Sequence, residues 1–436
     1  MRAAPHQSLP KQCADWAHLK AAYRLLSNPA VDPIAIGQSH RQQTRRLCAP
    51  HPVVRCVQDT TDLDFTRRTG IQGLGKTGNG SGRGLLQQTA LAVLPDGSLL
   101  GILDQQWHIR VEPPQGETRQ ERLSRWRESQ VWADAIAAVG PAPEGCRIIH
   151  MGDRQSDDGD TMAQAEHEGV GFLLRARHDR RVVDPVHGYL WERMHAQPLA
   201  GRKELAIGRQ RNDDNPIKRS GRVASVAIRY ASVTLARPAP TLPPMPPRQV
   251  WAVLACEIHP PAGEEPLEWM LLTREPVNDL ADALKIMGWY EKRWVMEEWH
   301  RVEKEGCRLD ETQLDDVRDI QRLAAITGIV AVRLMQLRDL ARQAETNAAQ
   351  NTPQALALAV PAVWIAVVAK LGQLAPEALT PSRFYRLIAR RGGHVGRKHD
   401  GPPGWKTLWR GWYDISLIAQ GVELGLPASP SSNKCG

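Results

Sequence analysis

Two apolar runs that each close on an aspartate constrain this chain more than any other feature. Val53-Val54-Arg55-Cys56-Val57-Gln58-Asp59 and Arg147-Ile148-Ile149-His150-Met151-Gly152-Asp153 are mostly β-branched or apolar up to the acid. Runs of this length and kind form buried strands, so each acid is expected at a strand end. In mixed α/β sheets the carboxyl ends of strands border the crevice where ligands bind. Two carboxylates there are a natural seat for a hard divalent cation such as Mg²⁺, which takes one or two carboxylates together with substrate phosphate oxygens. A strand-end Asp also serves as a turn-former or helix cap, so two acids alone do not decide between these roles.

The rest of the chain supplies a frame for such a sheet. Residues 1–50 read as short helices, with 13–26 helical and Asn28-Pro29 as a breaker. The stretch 66–84 holds seven Gly and four Lys/Arg. It reads as a flexible basic loop, because no GKS or GKT closes it as a phosphate-cradling loop. Residues 88–94 and 99–111 read as a hairpin through a Pro-Asp-Gly turn. Helical patterns follow at 118–139 and 162–168, and a strand at 171–175. The Pro-rich stretch 180–268, with β-like pieces at 224–230 and 249–258, reads as an insertion before 269–273 returns to the core sheet. From Asp279 the pattern is mainly helical, over 279–305, 315–345, 354–372 and 381–391, and 426–436 reads as a disordered tail.

Composition narrows the function classes. At 436 residues the chain has room for roughly three domains or fewer. Hydrophobic residues are 42% and charged residues 24%, the profile of an ordinary globular protein. No apolar run approaches the ~18 residues of a bilayer span, and the first residues carry no signal-peptide core. Membrane and secreted roles are therefore not expected. Seven Cys form no CxxC pair, so neither a disulfide framework nor a zinc site is expected, and reduced cytoplasmic thiols fit best. The net charge is +8, but residues 1–58 alone carry +6 and residues 381–410 carry +7. Two basic ends around a carboxylate-bearing centre point to a polyanion partner, most simply nucleic acid, although solubilising charge is the plainer alternative.

The segment Tyr290 to Lys304 carries the most chemistry. At about 100° per residue, Tyr290, Arg293, Glu297 and Lys304 fall within a stripe about 60° wide, bordered by His300 and Arg301. Val295, Trp299 and Val302 take the opposite, core-facing side, and Glu298 lies off the stripe. One carboxylate among cations suits a metal ligand flanked by groups that grip a phosphate backbone. A solvated face with an Arg293–Glu297 ion pair is the alternative.

The spacing Y-x2-R-x3-E-x6-K, as Tyr290, Arg293, Glu297 and Lys304, resembles the signature of bacterial DDE transposases of insertion sequence family four. Asp59-Thr60-Thr61 resembles that family's first catalytic-acid motif. Gly152-Asp153-Arg154, followed by Asp157, resembles its second. The stretch from Glu265 to Thr273 is similar to the strand that leads to the signature helix. Tyr23 to Pro29 and Gly404 to Gly411 match further family patterns.

The resemblance implies an α/β fold with an RNase H-like catalytic core over 51–310 and a β-rich insertion at about 180–268. It implies a helical DNA-binding region over 1–50 and a helical dimerisation region over 311–436. Asp59, Asp153 and Glu297 would be the catalytic acids and would bind two Mg²⁺ ions, with Mn²⁺ able to substitute. The activity implied is hydrolytic nicking at transposon ends, then strand transfer by the 3′-hydroxyl, through a DNA hairpin in cut-and-paste movement. Trp269 would stack a flipped base, Tyr290, Arg293 and Lys304 would clamp phosphates, and Arg175 and Arg301 would contact DNA. The partners implied are double-stranded transposon-end and target DNA and a second copy of the chain, in a bacterial cytoplasm. Only about one helix precedes Tyr23, shorter than the family's usual N-terminal domain. The alternative function is accordingly a shortened, non-transposing chain that dimerises with full-length transposase and inhibits it.

Overall fold

The computed structural model describes residues 8–13, 15–78, 80–211, 217–237, 246–397 and 400–425. The chain forms two compact units. One comprises residues 34–298 with 315–317, and the other residues 1–33, 299–314 and 318–436.

The first unit is built on strands β1 (Val53–Asp64), β2 (Gly75–Thr77), β3 (Gly82–Val93), β4 (Leu99–His108), β5 (Arg147–Gly152), β6 (Gly171–Arg175), β7 (Gly201–Ile207), β8 (Gln210–Arg211), β9 (Ile217–Arg219), β10 (Arg222–Leu235), β11 (Arg248–Glu257) and β12 (Glu268–Thr273). Ten of them form one sheet in the order β2-β3-β1-β5-β6-β12-β11-β10-β7, with β4 also on β3, while β8 and β9 make a separate ribbon. β1 is antiparallel to β3 but parallel to β5, and β5 is parallel to β6. An antiparallel meander continued by two parallel strands, with helical N- and C-terminal regions, is consistent with an RNase H-like transposase fold.

Alternation puts Val54 and Cys56 of β1, Ile148 of β5 and Phe172 and Leu174 of β6 into one apolar cluster. The helices Gln38–Cys48, Val131–Val139 and Gly159–His167 supply Cys48, Ile136, Met162 and Ala165 to it. Truncating a wholly buried member such as Phe172 to Ala costs about 3–5 kcal/mol on the usual scale for core aromatics.

Three expectations change here. The stretch 66–84 is not all loop, since it contains β2 and opens β3. Gly84 pairs with both Asp64 and Gly75, and a Cβ there would meet the Leu63 carbonyl at 2.0 Å. The insertion is no separate body either: β7, β10 and β11 continue the same sheet beyond β12, because Ala231, Val233, Val250, Ala252 and Leu254 join the same cluster. Finally, 118–139 is divided into Arg119–Ser124, a 3₁₀ turn at Glu128–Gln130 and Val131–Val139.

The second unit is helical. Its N-terminal part carries Leu9–Gln12 and Trp16–Leu26, the latter ending before Asn28-Pro29 as expected. Arg322, almost wholly buried on the helix Val317–Thr346, donates to the carbonyls of Leu26 and Val31 and ties down that bend. Val317–Thr346 is long and apolar enough by composition to cross a bilayer, although no apolar run of that length is expected from the sequence. Most of its apolar window is buried inside the protein, as in a core helix. The stretch 354–372 is split into Pro353–Ala359 and Ala362–Leu371, with Val360 extended before Pro361, where proline disfavours a helical predecessor.

Pro381–Arg391 and Trp405–Gly425 then pack so closely that a Cβ on Gly411 would meet the Ile388 carbonyl at 1.7 Å. The long Trp405–Gly425 helix falls within the expected helical region 311–436, beyond the individual helical patterns read there. Of the basic stretch 381–410, Arg386 and Arg391 pair with Glu345 and Asp414. The expected tail, 426–436, lies outside the described residues.

Candidate active site

β1 does not stop at Asp59. Its antiparallel ladder with β3 continues to Asp64 opposite Gly84, while its parallel pairing with β5 ends at Val57 opposite Met151. Asp59 therefore sits in mid-strand, two residues past the point where β1 and β5 part, rather than at a strand end. Asp153 does follow the end of β5, and two further steps of the same register would set it beside Asp59. It caps a 3₁₀ turn, accepting from the Gln155 amide at 2.8 Å. Thr60 Oγ1 donates to Gln155 Oε1 at 3.1 Å and links the two acid-bearing segments.

The third acid arrives from helix. The expected continuous helix 279–305 is interrupted: Leu280–Glu291 ends, Lys292 and Arg293 form a turn, and Trp294–Arg301 resumes. The turn is tight, with the Arg293 and Val295 amides donating to the Tyr290 and Lys292 carbonyls. Val295, Trp299 and Val302 are buried, as the core-face assignment required. Arg293 Nη2 lies 2.7 Å from Glu297 Oε1, and its Nη1 lies 3.3 Å from Asp59 Oδ2. One guanidinium, only 17% exposed, thus bridges the strand acid and the helix acid.

The electrostatics agree with this convergence. Burial pushes the Asp59 carboxyl up from 3.8 to about 7. Arg293 opposes that shift, and the negative charges of Asp153 and Glu297 add to it. Three carboxylates offer only hard oxygen donors, and burial together with two neighbouring negative charges disfavours the charged form of Asp59 despite Arg293. That donor set fits a hard divalent cation.

Around the acids stands a rim of aromatic and cationic groups. Tyr290 is buried and meets Trp269 edge-on, with ring centroids 5.2 Å apart. Its hydroxyl is pushed up first by burial and also by Asp153, against the pull of Arg293 and Arg175. Arg175, at the end of β6, hydrogen-bonds Tyr290 and donates to the Glu268 carbonyl at 2.8 Å, beside Trp269. Arg154 lies near enough to act on both Arg175 and Arg219. Arg219 in turn reaches the carbonyls of Glu265 and Pro266. The sequence offered Arg154 only as a neighbour of Asp153, and nothing in its spacing marked Arg219.

Lys304 falls in a π-helical turn, Val302–Gly306, where the Cys307 amide donates to Val302. The wider turn changes the angular phase, so the 100° count does not carry to Lys304. Both Lys304 and the exposed Arg301 belong to the other compact unit. Asp157 is committed elsewhere: it is buried, accepts from the amides of Arg177 and His178, and pairs with Arg180 at 2.6 Å. Glu303, next to Lys304, is fully buried.

Two segments match families of known proteins. Residues 1–31 match the family described as Transposase DNA-binding, and residues 356–429 match Transposase Tn5 dimerisation domain. The first match contains Tyr23 to Pro29, and the second spans the helices around Gly411. Together they support a Tn5-like transposase that acts on DNA and forms a homodimer.

Proposed function

We propose that this chain is a DDE transposase of the hairpin-forming, cut-and-paste kind, with Asp59, Asp153 and Glu297 as its catalytic acids. The observation that carries this reading is the convergence of the three acids from β1, the end of β5 and the Trp294–Arg301 helix, two of them bridged by Arg293. These acids would hold two Mg²⁺ ions, or Mn²⁺ in their place, which supply activation of the attacking oxygen and charge stabilisation on the leaving oxygen.

The chain's own groups position the strand. Arg293, Arg175 and Arg154 offer guanidinium N–H groups to phosphate oxygens, contacts that fix register without reading sequence. Lys304 and Arg301, carried by the other unit, would contact phosphates as well. Trp269, braced edge-on by Tyr290, offers an indole for a base drawn out of the duplex, an interaction worth about 1–3 kcal/mol per stacked base. A water oxygen attacks the scissile phosphorus and the 3′ oxygen leaves as a hydroxyl. That hydroxyl then attacks the opposite strand, exchanging one phosphodiester for another and closing the hairpin. The basic stretches at 1–58 and 381–410 add affinity for the duplex. The second copy pairs two ends.

The test uses duplexes drawn from DNA flanking the chain's own gene, labelled on each strand. Mg²⁺-dependent nicking followed by a hairpin product is the expected result. Nicking that persists in Asp59→Ala, Asp153→Ala or Glu297→Ala would remove that residue from the catalytic set. Nicking without a hairpin would leave the acids in place and discard the strand-transfer assignment of Trp269.

A further inference from the structure

A second cluster of ligand atoms lies on the same sheet. β11 and β12 are antiparallel, and their register sets Cys256 directly across from Glu268. Directly opposed residues project from the same face, so their side chains meet. Cys256 Sγ lies 3.5 Å from Glu268 Oε2, and His195 Nε2, from the end of the helix Leu190–His195, lies 3.6 Å from the same oxygen. All three ligand atoms fall within 4.8 Å of one another. Trp191, one turn earlier on that helix, donates its indole N–H to the other Glu268 oxygen at 2.6 Å.

We propose that His195, Cys256 and Glu268 form a transition-metal site that takes Zn²⁺. Tetrahedral zinc, with bonds of about 2.0–2.3 Å, separates its ligand atoms by about 3.3–3.6 Å. The two spacings to Glu268 Oε2 already lie in that range, so a cation can enter with side-chain adjustment alone. A thiolate, an imidazole and a carboxylate together select zinc over magnesium, which prefers oxygen donors throughout. Three protein ligands leave a fourth position for water or an added ligand. The Trp191 indole holds the free carboxylate oxygen, the kind of outer hydrogen bond that orients metal-ligating groups. On binding, the thiol proton leaves to solvent, and the Cys256–Glu268 hydrogen bond is replaced by two bonds to one cation. Glu268 also precedes Trp269 and accepts from Arg175 through its carbonyl. Zinc would therefore fasten the Leu190–His195 helix to the backbone on which those two side chains rest.

The experiment uses the full chain, reduced and stripped of metal, titrated with Co²⁺ as a spectroscopic probe. One equivalent should develop a thiolate-to-cobalt charge-transfer band, which Zn²⁺ then bleaches. The band should vanish in Cys256→Ser, and His195→Ala, altered at an exposed position, should weaken binding about tenfold or more. An Asp153→Asn chain should keep the band, separating this site from the three acids. Absence of a thiolate band, or a band that survives Cys256→Ser, overturns the proposal. If Cys256→Ser does not fold, undiminished affinity in His195→Ala overturns it equally.

Discussion

The acids Asp59, Asp153 and Glu297 and the trio His195, Cys256 and Glu268 belong to one sheet-bearing unit but are assembled differently. The acids gather where a parallel pair of strands parts, so each comes from a distinct backbone path and a guanidinium spans the gap. The trio gathers where an antiparallel pair is in full register, with two members facing each other across the ladder. A splayed pair leaves room for a large polyanionic substrate beside its carboxylates. A closed ladder leaves room only for a small cation. Donor chemistry follows the same division, oxygen alone in the first and sulfur, nitrogen and oxygen in the second.

Loss of single acids should separate the two clusters most sharply. Asp59→Ala, Asp153→Ala and Glu297→Ala should reduce Mg²⁺-dependent cleavage to background while leaving the cobalt–thiolate band nearly unchanged. Loss of that band in all three would mean the two clusters are not independent.

Next in size is Arg293→Ala, expected to slow strand transfer on a pre-nicked end about a hundredfold, since small misplacement of a reacting strand is expensive. Lys285→Ala, exposed on the preceding helix and paired with Asp282, is the control and should change little. Equal, mild losses in both variants would mean Arg293 is only a surface ion pair.

On the other cluster, Trp191→Phe removes one hydrogen bond to Glu268 and should weaken Co²⁺ binding by about 10–100-fold, with cleavage in Mg²⁺ unchanged.

The smallest effect is pH dependence at the acids. Asp59 titrates near 7 in the folded chain against an ordinary 3.8, so the folded state holds its proton more tightly. Between about pH 4 and 7, metal-free stability should fall as pH rises. Mg²⁺ bound as proposed would compete for that same carboxylate, and its affinity should drop about tenfold per unit below pH 7 for one displaced proton. Calorimetric titrations at pH 6, 7 and 8 measure this, and Asp59→Asn should flatten the stability slope.

How much of each cluster was legible follows from what spacing can encode. Asp59 and Asp153 each close a β-branched run, and Arg293 and Glu297 are one helical turn apart, so the acids could be picked out residue by residue. Their exact settings could not be. Asp59 is in mid-strand because β3 continues to pair with β1 after β5 has left, and that depends on a partner distant in sequence. Lys304 slipped from its stripe because a π-turn is invisible to a fixed angular step. The trio was unreadable for a stronger reason. Cys256 and Glu268 are brought together only by strand register, and a search for CxxC spacing passes over them. The mixed sheet and terminal helices were foreseen, whereas the joining of the insertion to the same sheet rests on which face of β10 and β11 is buried.

The mid-strand setting of Asp59 gives the acids unequal mobility. Its backbone is locked on one side into a ladder that runs five residues further, to Asp64. Asp153 rides on a three-residue turn, and Glu297 follows a break between helices. One carboxylate is therefore an anvil and the other two are adjustable jaws. Amide exchange would show the asymmetry as slower hydrogens at the β1 amides that pair with β3 than at the exposed Arg154 and Gln155. Of the three acids, only Asp59 is therefore braced by a continuous strand ladder on both sides of its position in sequence.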